Sequence, residues 1–257
     1  MSIFRIPATR VKTAALASTG IFLCLAVLYF TPVQIPLKLT FPLTVLTVAS
    51  LWLCPWQVTL ALLFSALGDL SGAMAGAGGL AGADGLTGAD GLTGAGGADW
   101  AQKCFMFQMG SFLCAHIFFI WFFVGRYFTK VEHDRKLTGK AKGYLAMVVF
   151  CIIVLLTIAF TRIIPLAPAG LIRTGAGIYA CIICLMLLTA MLQRSSLYAL
   201  GALLFVFSDF ILAWNRFVEP VPNSGLLILI PYFLGQWLIF IRSTSFRIAP
   251  EMRIMRF

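Results

Sequence analysis

Gly201-Ala202-Leu203-Leu204-Phe205-Val206-Phe207-Ser208-Asp209 is an apolar run closed by a single carboxylate. Leu62-Leu63-Phe64-Ser65-Ala66-Leu67-Gly68-Asp69 has the same form in the first half of the chain. Each aspartate follows a small residue, Ser208 or Gly68, inside sequence of hydrocarbon character. A carboxylate in a membrane-length helix costs at least ~2.5 kcal/mol, so it is kept where it faces a cavity, a partner or a substrate. Two of them in matching surroundings imply one shared polar site inside a helical bundle.

Composition puts that bundle in lipid. Of the 257 residues, 61% are hydrophobic and 11% charged, against roughly 25% charged in a soluble domain. Mean hydropathy is +0.97. The expected fold is all-α: a polytopic transmembrane helical bundle of about eight spans of ~20 residues each, forming a single transmembrane domain over 1–257 with the lipid bilayer as its solvent. The spans are placed at 14–30, 37–54, 56–71, 104–127, 144–163, 170–192, 197–216 and 225–242, with Pro32, Pro36, Pro55, Pro165, Pro168, Pro220 and Pro222 punctuating the turns. The basic stretch Arg5 to Lys12 before the first apolar run has the form of a signal peptide. The run is long enough to cross, and no convincing cleavage site follows it, so it is read as the first span.

Charge sets the orientation. With eight spans both termini share one side, which collects Arg5, Arg10, Lys12, Arg126, Lys130, Arg135, Lys136, Lys140, Lys142, Arg194, Arg242, Arg247, Arg253 and Arg256. Only Lys38, Lys103, Arg162, Arg173 and Arg216 remain for the other. The positive-inside rule then puts both termini in the cytoplasm. It also accounts for much of the net charge of +10, so no nucleic-acid partner is expected.

Residues 72–99 read as a flexible Gly/Ala/Asp-rich loop insert, built on a six-residue unit that starts at Gly79, Gly85 and Gly91. Its aspartates stop short of a complete calcium-binding repeat. The seven cysteines sit mostly in apolar runs, where Cys packs as a small hydrophobe. Cys181 and Cys184 have a redox or metal spacing, but inside a span with no further ligands they read as packing residues. Neither a disulfide nor a metal is expected.

The two halves show a possible 4+4 internal repeat. Asp69 and Asp209 lie at similar depths in the third helix of each half, and Ala115-His116-Ile117-Phe118 in the fourth helix parallels Gly235-Gln236-Trp237-Leu238 in the eighth. Such a repeat gathers two aspartates, a histidine and a glutamine about one axis, as repeats with midplane sites do in transporters. Asp69, Asp209 and His116 are the candidate catalytic residues. Two close carboxylates in a low dielectric would hold one proton between them, which suits acid/base hydrolysis. Tyr232 stands one turn before Gln236 on the same helix face. Lys38 and Asn215 are further polar residues in or at the ends of spans; Lys38 either snorkels to the interface or attracts a substrate phosphate. His133, in the charged loop after the fourth helix, reads as solvated. No nucleotide-binding Gly loop and no Gly-x-Ser-x-Gly elbow occurs. Metal-free acid/base chemistry, ligand binding and proton-coupled transport of a lipid or small amphiphile on the same Asp and His residues all remain open at this point, with no cofactor required.

At these residues the chain resembles the YhhN/TMEM86 family of membrane lysoplasmalogenases. The stretches that carry the resemblance are Leu63 to Asp69, Gly110 to His116, Tyr179 with Met186, Gly201 to Asp209, and Tyr232 with Gln236. The Gly-Ala-x-Leu-Phe-x-x-Ser-Asp block is the most specific of them. The Gly-rich insert departs from the family's short loop after the first Asp, and the family's basic residue near a proline in the second helix is matched only loosely by Lys38 and Pro42. The resemblance implies hydrolysis of the vinyl ether bond of a lysophospholipid substrate to a fatty aldehyde and a glycerophospho-headgroup. Asp69 and Asp209 would act as acid and charge stabiliser, His116 as relay, and Lys38, Ser208, Asn215, Tyr179, Tyr232 and Gln236 as substrate-binding groups. The expected location is an integral, multi-pass protein of a bacterial inner (plasma) membrane.

Overall fold

The computed structural model describes residues 8–33, 35, 37–77, 95–131 and 139–245. Among these residues every regular element is a helix: α1 (Ala8–Tyr29), α2 (Phe41–Leu53), α3 (Trp56–Ala77), α4 (Ala95–Val131), α5 (Gly139–Ile158), α6 (Leu171–Met191), α7 (Ser196–Phe217) and α8 (Ser224–Thr244). All but α2 are long and apolar enough to cross a membrane. Both the positions and the number of the helices follow the expected bundle, and the protein is an integral membrane protein.

α1 begins at Ala8 where 14 was expected and α5 at Gly139 where 144 was, and two further differences have a physical reason. α2 begins at Phe41 instead of 37, because residues 37–40 form a turn with Leu37 at φ 58. Pro42 then sits in the first helical turn, where its missing N–H leaves no bond unmade. At 13 residues α2 is ~20 Å long, short of a full span. The second difference concerns 72–99, expected to be a loop: α3 continues to Ala77 and α4 starts at Ala95. Small residues there let the two helices approach closely. A Cβ added at Gly72 would stand 2.9 Å from the Gln108 amide nitrogen, and Ser71 Oγ donates to the Cys104 carbonyl at 2.7 Å. Asp69 therefore lies in the interior of a 22-residue helix, not at its end. The repeats between Ala77 and Ala95, and His133, lie outside the described residues.

The helices pack in a pattern that the two halves share. α3 lies along α4, as α7 lies along α8. α2 packs on α3 and α8, and its counterpart α6 packs on α7 and α4. The halves differ at their first helices. α1 seals against α2 and α8, with Phe22 edge-on to Phe233 and the Trp237 indole N–H donating to Thr19 Oγ1 at 3.1 Å. α5 packs mainly on α6 and turns through a π-helical turn (Ala159–Ile163) and a 3-10 turn (Ile164–Leu166). A π turn carries one extra residue and commonly marks a functional site.

Candidate active site

The interfaces of α3, α4, α6, α7 and α8 converge on a polar cluster in an otherwise apolar interior. Asp209 comes from α7 and Asp69 from α3, with relative exposures of 8% and 2%. The Tyr179 hydroxyl, on α6, donates to Asp209 Oδ2 at 2.5 Å. His116, on α4 and wholly buried, places Nε2 3.8 Å from the same oxygen. Its Nδ1–H donates to the Phe112 carbonyl one turn earlier, at 2.5 Å. That bond leaves Nε2 of the neutral ring with its lone pair, directed at the carboxylate. Phe205 and Tyr179 meet the imidazole edge-on, at 4.7 and 5.3 Å between ring centroids, and fix its plane.

Asp69 is served from α8. Tyr232 interacts electrostatically with Asp69, Asp209 and Tyr179. One turn on, Gln236 Nε2 donates to Ser65 Oγ at 2.9 Å, and Ser65 is one turn before Asp69. The two aspartates also interact electrostatically with each other. Four buried polar atoms here have no hydrogen-bond partner in the protein: Asp69 Oδ2, His116 Nε2, Tyr232 Oη and Gln236 Oε1. Each such group costs about 1–3 kcal/mol if left unsatisfied. Four around a carboxylate pair mark this cluster as the polar centre of the bundle.

An open cleft reaches this cluster from the flank of the bundle, between α4, the end of α5, α6 and α7, with about 870 Å³ of space when the solvent at its mouth is included. Its walls are aliphatic and aromatic. The polar side chains on them are few: Gln108, Tyr179, Asp209 and Arg216, with Cys184 beside them. A concave, mostly apolar site with a few convergent polar groups is the usual form of a ligand pocket, and an apolar lining of this kind suits an alkyl chain. Asp209 is on the wall; Asp69 and His116 stand behind it. Among the described residues no three His, Cys, Asp or Glu side chains gather into a metal-binding group.

Of the residues singled out in the sequence, Asp69, Asp209, His116, Tyr179, Tyr232 and Gln236 are brought together. Three others are placed elsewhere. Ser208 Oγ donates to the Ile228 carbonyl at 2.8 Å and joins α7 to α8. Asn215 Oδ1 accepts the Val221 N–H at 2.8 Å and shapes the turn after α7. Lys38 Nζ donates to the Thr31 and Val33 carbonyls, both at 3.1 Å, over the Tyr29 ring, so it ties down the chain that follows α1. Sequence reasoning missed Ser65, Gln108 and Arg216. Ser65 was legible as the small polar residue one turn before Asp69, the spacing that puts two side chains on one helix face.

The profile of the YhhN family matches residues 28–243. Lysoplasmalogenase TMEM86B of Sus scrofa is 26% identical over 151 residues, which are 59% of this chain and 58% of that protein. Lysoplasmalogenase TMEM86B of Homo sapiens is 29% identical over 136 residues, 51% of this chain and 50% of that protein. The chain thus spans about half the length of the curated relatives it matches. No solved structure matches it significantly.

Proposed function

From a chain that belongs to the YhhN family, we propose a membrane-embedded hydrolase that cleaves the vinyl ether bond of lysoplasmalogens, with Asp209 as the acid that meets the substrate. The observation that carries this reading is the place of Asp209. It is the carboxyl on the wall of an apolar cleft, bonded by Tyr179 and faced by the free Nε2 of His116. The activity named for both relatives agrees with it.

The chemistry follows from that geometry. Vinyl ether hydrolysis begins with transfer of a proton to the alkene carbon remote from oxygen, which leaves an oxocarbenium ion. Protonated Asp209 supplies that proton as general acid, an effect worth ~10²–10⁴ in rate. The carboxylate left behind is held by the Tyr179 O–H and stands beside the cation, so the charge that develops in the transition state meets a preorganised counter-charge. Water then adds to the oxocarbenium carbon. His116 Nε2, a lone pair 3.8 Å from Asp209 Oδ2, orients that water and takes its proton. The hemiacetal collapses to a fatty aldehyde and a glycerophospho-headgroup, and the proton returns to Asp209. Asp69, coupled to Asp209 and faced by Tyr232, stands behind the wall, where its negative charge opposes a second one on Asp209 in the resting site and so keeps the acid protonated until it meets the substrate. The distribution of basic residues favours cytoplasmic termini, which puts the α6 N-terminus and the α7 C-terminus on the opposite face.

Purified protein in detergent, given a lysoplasmenyl phospholipid, is expected to release free fatty aldehyde with no membrane gradient. A folded preparation that releases none from either ethanolamine or choline lipids, yet moves lipid across sealed vesicles, would replace hydrolysis with transport.

A further inference from the structure

We propose that Arg216 is the anion anchor of the cleft, holding the phosphate of a lysophospholipid so that the substituent on glycerol C1 lies against Asp209. Arg216 is the basic residue among those lining the cleft, and it lines the same cavity as Asp209. The two are seven residues apart on α7, which is two turns and ~10.5 Å along one helix face. Helical side chains lean toward the N-terminus, so the guanidinium leans toward Asp209. Its carbon stands 5.0 Å from the centroid of the Phe105 ring, itself part of the cleft wall, and that contact holds the planar group against the wall.

The other cations of this end of the bundle have visible roles or lie outside the cleft. Lys103 pairs with Asp99 at 2.6 Å on the exposed surface. Arg173 donates twice to the Ala167 carbonyl, at 3.0 and 2.8 Å. Arg162 is exposed on the π turn. Arg216 is half-buried and has no acidic partner among the described residues. A partly desolvated, unpaired guanidinium is a site for an anion, and its planar fork fits phosphate with two parallel bonds.

The spacing selects the ligand. In an alkenyl glycerophospholipid, seven bonds separate phosphorus from the alkene carbon that takes the proton, ~8 Å in an extended chain. That length matches the Arg216-to-Asp209 interval. The tail continues past Asp209 into the aliphatic part of the cleft. Which bond rests on Asp209 depends on the hydrolase reading above; the phosphate contact does not.

The test is equilibrium binding to the full-length protein in a phosphate-free detergent. The ligands are a non-cleavable 1-O-alkyl-glycerophosphocholine, the 1-O-alkylglycerol of the same chain length, and inorganic phosphate. Wild type is expected to prefer the phospholipid to the alkylglycerol by about 10- to 100-fold, the worth of charge-assisted bonds to one phosphate. Arg216→Gln abolishes that preference and Arg216→Lys restores part of it. The proposal is overturned if Arg216→Gln keeps the preference, or if it weakens both lipids equally, the mark of a packing role. It is also overturned if inorganic phosphate alone binds as tightly as the lysolipid, which marks a free-anion site. Because the ligand carries no vinyl ether, an Arg216-dependent preference in a protein that releases no aldehyde would refute the hydrolase reading and leave the anchor standing. Aldehyde release with no such preference would do the reverse.

Discussion

Asp209 accepts the Tyr179 hydroxyl at 2.5 Å on the wall of an open cleft. Asp69, at the corresponding place in the other half of the chain, is 2% exposed and borders no part of that cleft. The cause is one layer further out. α1 closes its half by packing on α2 and α8, whereas α5 packs mainly on α6 and reaches α7 only through the π turn at its end. The next layer differs as well. α6 sends Tyr179 to Asp209, while the buried hydroxyls of α2, Thr47 and Ser50, bond to carbonyls of their own helix at 2.8 and 2.7 Å. A bundle whose helices pack alike in both halves is thus made one-sided by its peripheral helices. Like carboxylates receive unlike tasks, one at the substrate and one behind it.

The sharpest way to break this comparison is to exchange the two tasks. Asp209→Asn removes the proton donor and is expected to lower kcat for aldehyde release by about 10³-fold. Asp69→Asn removes only the neighbouring charge, and a loss of about 10-fold is expected, near the worth of one modest electrostatic contact. Steady-state kinetics on lysoplasmenyl lipid reads both. An Asp69 variant as inactive as the Asp209 variant would mean that the carboxylates act as one unit. The tyrosines give the next smaller contrast. Tyr179→Phe takes a donor from the carboxylate formed at the chemical step, for which about 10²-fold in kcat is expected. Tyr232→Phe removes a hydroxyl that faces Asp69 behind the cleft wall, and its loss is expected to stay under about 10-fold. Equal losses would put Asp69 in contact with the reacting atoms.

The bundle and the pair of aspartates were legible because both rest on local pattern: membrane-length apolar runs, and a carboxylate that such a run does not tolerate without a reason. The α3–α4 boundary was not. Glycine at the density of 72–99 signals loop when read along the chain, but at Gly72 the missing side chain is what admits Gln108 of the neighbouring helix. Ser208 and Asn215 misled in a related way. A polar residue in an apolar helix has to be satisfied, and the Ile228 carbonyl and Val221 N–H that satisfy them come from across a turn, which spacing within one helix does not reveal. The cleft was illegible for a third reason. It exists because α5 stands apart, and a lipid-facing helix and a cleft-lining helix are equally apolar in sequence.

Filling the cleft tests its role more gently than removing a catalytic group. Ala213 lines it one turn past Asp209, so Ala213→Phe occupies the path of the chain. A rise in KM of about 10-fold for a long-chain substrate is expected, the scale of a few displaced methylenes, with less effect on a short-chain one. Ala49→Phe, on the sealed side where Ala49 packs against the core, is expected to lower the thermal unfolding midpoint and leave the chain-length preference as it was. A chain-length effect at Ala49 and none at Ala213 would move the substrate to the Asp69 side.

The smallest contrast lies in how tightly each half is bound together. A Cβ at Gly235 would stand 2.7 Å from the Gly201 carbonyl oxygen and 3.3 Å from the Phe205 backbone nitrogen, atoms that move only if α7 and α8 separate. At Gly72 the nearest atoms belong to the end of the Gln108 side chain, which can swing away. Gly235→Ala is therefore expected to cost about 1–3 kcal/mol, the usual range for overpacking. Gly72→Ala is expected to cost less than about 1 kcal/mol, because the helix-propensity gain of alanine offsets the displaced amide. Denaturant titrations in detergent compare the two. Gly235→Ala should also disturb catalysis, since Phe205 braces the His116 ring; if it unfolds no sooner than Gly72→Ala, then α7 and α8 slide as a loose pair, and Asp209 is held in place by Tyr179 alone.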